Sequence, residues 1–227
     1  MRRFSLLATA LLLFQALANP ARAQETGSIL VTAAVGLYAP MSDLVNVEGI
    51  QLAPDQTATL SFGQEPSPAL AVRIGRYFTP KLALEVELVY ANTLTTVSAP
   101  VRSGGRPPLE QTLKSRVLEG SVTAVYEVFR PPFTPLGVFV LGGVGLVNRS
   151  GDFYDEGGVF FSSLDSQTTP ALVVGTGFRY GIGQRFGIRF DVRNYISMYS
   201  LSLPDQELDS SLQNDLLLST GLELLVN

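Results

Sequence analysis

The sequence predicts an all-β chain folded as an eight-stranded antiparallel up-and-down transmembrane β-barrel. Three observations carry this. Apolar residues recur with a period of two, and the alternate positions of the same segments are small or charged. The connections between these segments run long, short, long, short, long, short, long. After the first 23 residues no apolar run reaches the roughly 18 residues that a transmembrane helix needs. A chain that crosses lipid without such helices must close a sheet on itself, because no backbone group can stay unpaired in hydrocarbon.

The chain opens with Met1-Arg2-Arg3, a short apolar stretch from Phe4 to Ala18, and Ala21-Arg22-Ala23. A basic start, a short apolar run and an A-x-A site make residues 1–23 a signal peptide, with Gln24 as the mature start and 24–227 as the barrel domain. The apolar stretch is shorter than the roughly 20 residues of a membrane anchor.

The clearest hairpin lies between Thr168 and Ser200. Leu172, Val174, Thr176 and Phe178 alternate with Val173, Gly175, Gly177 and Arg179. Phe186, Ile188, Phe190 and Val192 then alternate with Gly187, Arg189, Asp191 and Arg193. Gly181-Ile182-Gly183-Gln184 joins the two limbs as a tight turn. These are the sixth and seventh strands, with the apolar face toward lipid and the charged face toward the lumen.

The other strands follow in order. The first, Ser28 to Ala39, places Ile29, Val31, Ala33, Val35 and Leu37 on one face. Residues 40–68 read as a long polar loop. The second strand, Ala69 to Phe78, puts Leu70, Val72 and Ile74 outward and Arg73, Gly75 and Tyr77 inward. Thr79-Pro80 is a turn. The third, Lys81 to Asn92, alternates Leu82, Leu84, Val86, Leu88 and Tyr90 with Ala83, Glu85, Glu87, Val89 and Ala91. A second long loop covers 93–111. The fourth strand, Thr112 to Phe129, points Leu118, Val122 and Tyr126 outward and Glu119, Ser121, Thr123 and Glu127 inward. Arg130 to Pro135 is a stiff connection. The fifth strand, Leu136 to Asn148, is apolar or glycine on both faces, so its facing stays open. A third long loop runs from Arg149 to Thr168 and a fourth from Ser200 to Leu212. The eighth strand, Gln213 to Val226, has Leu216, Leu218, Leu222 and Leu224 outward and Asp215, Ser219, Gly221 and Glu223 inward. Tyr38, Phe78, Tyr90, Phe129, Phe133, Tyr195 and Tyr199, near strand ends, are candidates for interfacial aromatic girdles.

The inward positions collect a charged lumen set: Arg73, Glu85, Glu87, Glu119, Arg179, Arg189, Asp191, Arg193 and Glu223, with Glu127 and Asp215 beside them. An eight-stranded barrel is just wide enough for side chains to fill it. Charges confined there need partners, since a buried unpaired charge costs several kcal/mol. Mixed signs therefore predict a salt-bridged, closed interior. The same residues could instead line a conducting lumen or supply a catalytic carboxylate pair, but arginine's bidentate geometry suits packed networks better.

Composition excludes several chemistries. There is no histidine and no cysteine. Histidine-based triads, histidine or cysteine zinc sites and disulfides are therefore absent. Asp152, Asp155 and Glu156 do not have the spacing of a calcium loop and read as a solvated acidic connection. The segment Gly175 to Gly181 opens no helix and is not a dinucleotide motif. No cofactor, metal site or catalytic set is expected. The whole chain has 16 basic and 20 acidic residues; losing Arg2, Arg3 and Arg22 with the signal would leave 13 against 20, a net charge of −7. No basic cluster offsets this, so nucleic acid is not a partner.

Eight alternating strands after a signal peptide resemble the small outer-membrane β-barrel family of OmpA and OmpX type. GIRFDVRNY (187–195) is similar to the seventh strand of such domains, and NDLLLSTGLELLV (214–226) to their last. One departure is the ending Leu225-Val226-Asn227, where the family usually places an aromatic residue read by the assembly machinery. The resemblance implies a bacterial outer-membrane location, with outer-membrane lipid and lipopolysaccharide as surroundings. It also implies handling by periplasmic chaperones and the barrel assembly machinery, and a monomer. It implies long loops outside, short turns in the periplasm, and a non-enzymatic role in membrane integrity or surface contact. The competing readings are a narrow channel or carrier for small hydrophobic solutes, a barrel enzyme, and a soluble lipocalin-like carrier with the faces reversed.

Overall fold

The structure is a computed structural model that describes residues 26–53, 56–99, 109–132, 134–152, 166–199, 202–203, 206–207 and 211–226. The expected signal segment, Phe133, Asp155, Glu156, Asn227 and the middle of the second long loop lie outside the described residues. Among the described residues there are twelve strands: β1 (Ile29–Pro40), β2 (Val45–Ala53), β3 (Gln56–Gln64), β4 (Ser67–Thr79), β5 (Leu82–Ala99), β6 (Leu109–Phe129), β7 (Leu136–Ser150), β8 (Gln167–Gly181), β9 (Phe186–Tyr199), β10 (Ser202–Leu203), β11 (Gln206–Glu207) and β12 (Ser211–Val226).

Eight of them close a ring in the order β1-β4-β5-β6-β7-β8-β9-β12, with every pairing antiparallel. The seam joins the first and last strands, from Ile29 opposite Val226 to Pro40 opposite Asp215. Closure leaves the ring without an edge, which is what a sheet surrounded by lipid requires. The three short connections, the start of β1 and the end of β12 lie at one end of the ring; the long connections join its strands at the other. In the β8–β9 turn Gly183 has φ +95°, a left-handed conformation that favours glycine. Gly181 is in the strand and needs no such freedom.

The two faces separate cleanly. Leu70, Val72 and Ile74 are exposed while Ala71, Arg73 and Tyr77 are buried. Leu84, Val86 and Leu88 are exposed while Glu85 and Glu87 are buried. A ring with its apolar side chains outside and its charges inside is inverted relative to a soluble protein. The inversion overturns the lipocalin-like arrangement. β7, whose facing the sequence leaves open, directs Phe139, Leu141, Val147 and Arg149 inward and Val140, Val144 and Leu146 outward.

Three expectations are corrected. Residues 40–68 are not a plain loop: β2 and β3 form a hairpin, and β3 extends the wall by pairing with the top of β5, Ser61–Gln64 against Thr95–Ser98. Correspondingly, β5 continues past Asn92 to Ala99, since β6 pairs with it along its whole length. The fourth long connection likewise contains the two-residue ribbon β10–β11. Secondly, Arg149 does not begin a loop. It stays in register opposite Val117 and Gln167, and its side chain is fully buried. Thirdly, Tyr38, Tyr195 and Tyr199 are not girdle residues. They share parity with the lumen charges and are buried. Phe78, Tyr126, Phe129 and Phe186 are exposed on the outer wall near the short-connection end, and Tyr90 is exposed further along β5.

Candidate functional site

The lumen is the candidate site. At its centre three arginines meet three carboxylates. Arg189 on β9 reaches Glu85 on β5 with both terminal nitrogens, Nη1 to Oε2 at 2.5 Å and Nη2 to Oε1 at 3.3 Å. Its Nε donates to Asp191 at 2.8 Å. Arg193, two inward positions further along the same strand, also reaches Glu85 Oε1, at 2.5 Å, and lies 3.0 Å from Glu87 and 3.6 Å from Asp191. Arg73 on β4 pairs with Glu87 through Nε and with Asp191 through Nη2 at 3.1 Å. Ser219 on β12 accepts from Arg73 at 2.8 Å and donates to Asp191 at 2.7 Å. The Tyr195 hydroxyl donates to Glu87 at 2.6 Å and lies 3.2 Å from Ser121 on β6.

β5 and β9 stand four places apart in an eight-strand ring, so the Arg189–Glu85 and Tyr195–Glu87 contacts cross its full diameter. This cross-section is a web of charge-assisted bonds spanning the ring. The aromatic Phe139 of β7 completes the packing. Its ring lies 4.5 Å beneath the Arg189 guanidinium carbon and 5.1 Å from that of Arg179. Room for that ring comes from Gly177 on β8: a Cβ there would meet Phe139 at 2.6 Å and the Phe190 carbonyl oxygen at 2.3 Å.

Two smaller clusters flank the centre. Toward the short-connection end, Arg179 lies 3.7 Å from Glu223, Arg189 approaches Glu223 at 3.8 Å, and Arg130 holds Glu127 at 2.6 Å. Toward the long-connection end, Arg149 pairs with Asp215, and Tyr38 donates to Asp215 at 2.9 Å. Gln64 of β3 caps this cluster, 3.2 Å from the Tyr38 hydroxyl and 3.4 Å from Arg149 Nε.

The structure thus brings eight of the nine sequence-derived lumen residues into ion-pair contact: Arg73, Glu85, Glu87, Arg179, Arg189, Asp191, Arg193 and Glu223. Glu119 differs. It is 1% exposed and faces inward, yet neither carboxylate oxygen has a hydrogen-bond partner among the described residues. Glu223 lies against Arg179 and Arg189, whereas Arg193 turns to Glu85 and Glu87. Sequence reading missed Arg149, Tyr38 and Tyr195 as members of the network. Among the described residues no cluster of three or more metal-ligating side chains exists.

An edgeless antiparallel ring, apolar outside and ion-paired inside, defines the class: a small membrane-spanning β-barrel. The sequence matches the family described as "Outer membrane protein beta-barrel domain" over residues 4–215, and the chain belongs to that family. Solved structures with the same fold include the outer membrane protein OprG of Pseudomonas aeruginosa, 14% identical with a TM-score of 0.58, covering 91% of this chain and 99% of that one. The outer membrane protein AlkL is 19% identical with a TM-score of 0.53, covering 92% and 94%. Neisserial surface protein A is 12% identical with a TM-score of 0.50, covering 88% and 97%. At these identities the likeness concerns the fold. No curated protein sequence matches the chain. The family places the barrel in a bacterial outer membrane, in contact with its lipids.

Proposed function

We propose that this chain is a non-enzymatic outer-membrane barrel whose lumen is sealed, acting as a membrane-embedded scaffold that supports envelope integrity and presents its long connections at the cell surface. The signal segment 1–23 is removed on export. Periplasmic chaperones and the barrel assembly machinery handle the chain, and the barrel works as a monomer. The supporting observation is the web of contacts across the full diameter at Arg189–Glu85 and Tyr195–Glu87. An ion following the axis would have to displace charge-assisted bonds that leave these groups with 2% exposure or less. The absence of histidine and cysteine agrees with a scaffold role, since it removes the usual nucleophile–base pairs.

The rival reading is a narrow channel or carrier for small hydrophobic solutes, which needs a continuous lumen or an opening in the wall. Planar-bilayer recordings with the purified barrel separate the two. The sealed reading expects a silent bilayer. Steady open-channel currents, or protein-dependent uptake of a small aromatic hydrocarbon into vesicles, would refute it.

A further inference from the structure

On the outward face of β6 the side chains change character at one point. Val122 and Leu118 are exposed and apolar; Arg116 and Lys114, the next outward positions, are exposed cations. On the neighbouring β5 a polar outward position, Asn92, appears at the same level, with Leu94 exposed beyond it. Tyr90 pairs with Leu118, and Asn92 pairs with Arg116. The boundary between hydrocarbon and headgroups therefore crosses these strands between Tyr90–Leu118 and Asn92–Arg116.

At that level the outer wall carries a recess of about 600 Å³, lined by Lys114, Arg116, Asn92, Glu65 and Asp152 among others. Its origin is topological. The β6–β7 ladder ends at Arg116 opposite Ser150, and Gly151 then turns away with φ +121°. On the other edge of β5, β4 stops pairing at Ala91 and β3 takes over only at Thr95. Two cations two residues apart on one strand face stand about 7 Å apart, within reach of a single phosphate group. Neither has an ion-pair partner among the described residues. Asn92 is held in place by the Tyr90 hydroxyl, which donates to its Oδ1 at 2.8 Å, leaving the amide nitrogen free to donate. Glu65 and Asp152 supply acceptors for hydroxyl groups beside the cations. Directly below lies the apolar wall of Leu88, Tyr90, Leu118 and Val122.

We propose that this recess is a binding site for a phosphorylated glycolipid of the outer leaflet. Lys114 and Arg116 take the phosphate, Asn92, Glu65 and Asp152 take sugar hydroxyls, and the acyl chains lie along β5 and β6. The recess has the polarity of a headgroup site continuous with a tail site, and a sugar headgroup offers its acceptors more hydroxyls than a phospholipid headgroup does. The proposal rests on the long connections facing outward and is independent of whether the lumen is sealed.

The test is lipid retention on the detergent-purified barrel, measured by native mass spectrometry. The probes are lipid A carrying both phosphates, its phosphate-free form, and phosphatidylglycerol. The wild-type chain should retain the phosphorylated form selectively. K114Q and R116Q should each weaken retention about fivefold and the double variant about 25-fold. R76Q/K81Q, at the opposite end of the wall, should leave it unchanged. Heat-modifiable gel mobility verifies that each variant folds, and the single variants preserve the comparison if the double does not. Equal retention by K114Q, R116Q and wild type, equal loss in R76Q/K81Q, or equal retention of the phosphate-free lipid or of phosphatidylglycerol would each overturn the proposal. Orientation is read separately: epitope tags at Gly105 and Gly157 should be labelled on intact cells, and a tag at Pro132 should not. The reverse pattern would remove the outer-leaflet premise.

Discussion

The Arg189–Glu85 pair offers the sharpest quantitative check on the lumen. Arg189 is fully buried, makes two charge-assisted bonds to Glu85, keeps a third to Asp191, and lies over Phe139. Glu85→Ala strands part of two guanidinium groups, because Arg193 uses the same carboxylate. Breaking a buried pair by removing one partner costs about 3–5 kcal/mol. Asp191 and Glu87 remain to hold the cations, so the lower end, about 3 kcal/mol, is expected for Glu85→Ala. Arg189→Ala also forfeits the ring contact and should cost about 4 kcal/mol. If the two residues act as a pair, the double variant should lose about 2 kcal/mol less than the sum. The assay is urea unfolding in lipid vesicles, followed by tyrosine fluorescence and heat-modifiable mobility. Arg193 with Glu223 serves as the contrast, since Glu223 instead contacts Arg179 and Arg189; that cycle should be additive within about 0.5 kcal/mol. Additivity for Arg189 with Glu85, or strong coupling for Arg193 with Glu223, would refute the placement of the network.

Three further outcomes follow from the same geometry. Val86 is 55% exposed at the centre of the apolar stretch Leu82–Tyr90 of β5, so Val86→Arg should cost about 2–4 kcal/mol on folding into vesicles if that level is near the bilayer midplane; unchanged unfolding would mean the face is not in lipid. Gly177→Ala forces a methyl group against the Phe139 ring and the Phe190 carbonyl and should cost about 1–3 kcal/mol, whereas Gly120→Ala, with nothing within 4 Å, should be tolerated in the same titration. Glu119→Gln removes the one lumen acid without a partner among the described residues and should raise stability by about 1 kcal/mol in urea; a loss would show that the carboxylate has an ionic partner.

Parity made most of the barrel legible. A period of two fixes which side of a wall each residue takes, so eight strands and the inward charges could be read directly. Parity also decides the aromatic residues at strand ends. Tyr195 shares its face with Arg189, Asp191 and Arg193, and Tyr38 with Leu30, Thr32 and Ala34; their face, and not their nearness to a strand end, places these rings in the lumen. Arg149 continues the odd-numbered series Phe139, Leu141 and Val147, but β7 is apolar or glycine on both sides, so its inward face could not be told from its outward one. The β2–β3 hairpin escaped although Ala58, Leu60 and Phe62 alternate with Thr57, Thr59 and Ser61: Glu48, Gly49 and Asp55 interrupt the pattern and give the whole stretch the composition of a polar loop. Which acid meets which arginine was never readable from β-order alone. Glu85 and Arg189 lie 104 residues apart and meet only through the stagger of strands on opposite walls.

The position of Arg73 has a consequence for how the barrel stays shut. Arg73 belongs to β4, while its partners Asp191 and Ser219 belong to β9 and β12. Between them runs the joint of β1 with β12, where the first and last segments of the chain meet. The arginine is therefore a latch thrown across that joint from within. Its bonds to Asp191 and Ser219 span the joint, so they come together as the last strand docks on the first. Afterwards the joint cannot part without dragging a buried guanidinium group away from the Asp191 carboxylate and the Ser219 hydroxyl. Such a barrel would resist opening for long periods even if its backbone ladder at the joint were no stronger than any other.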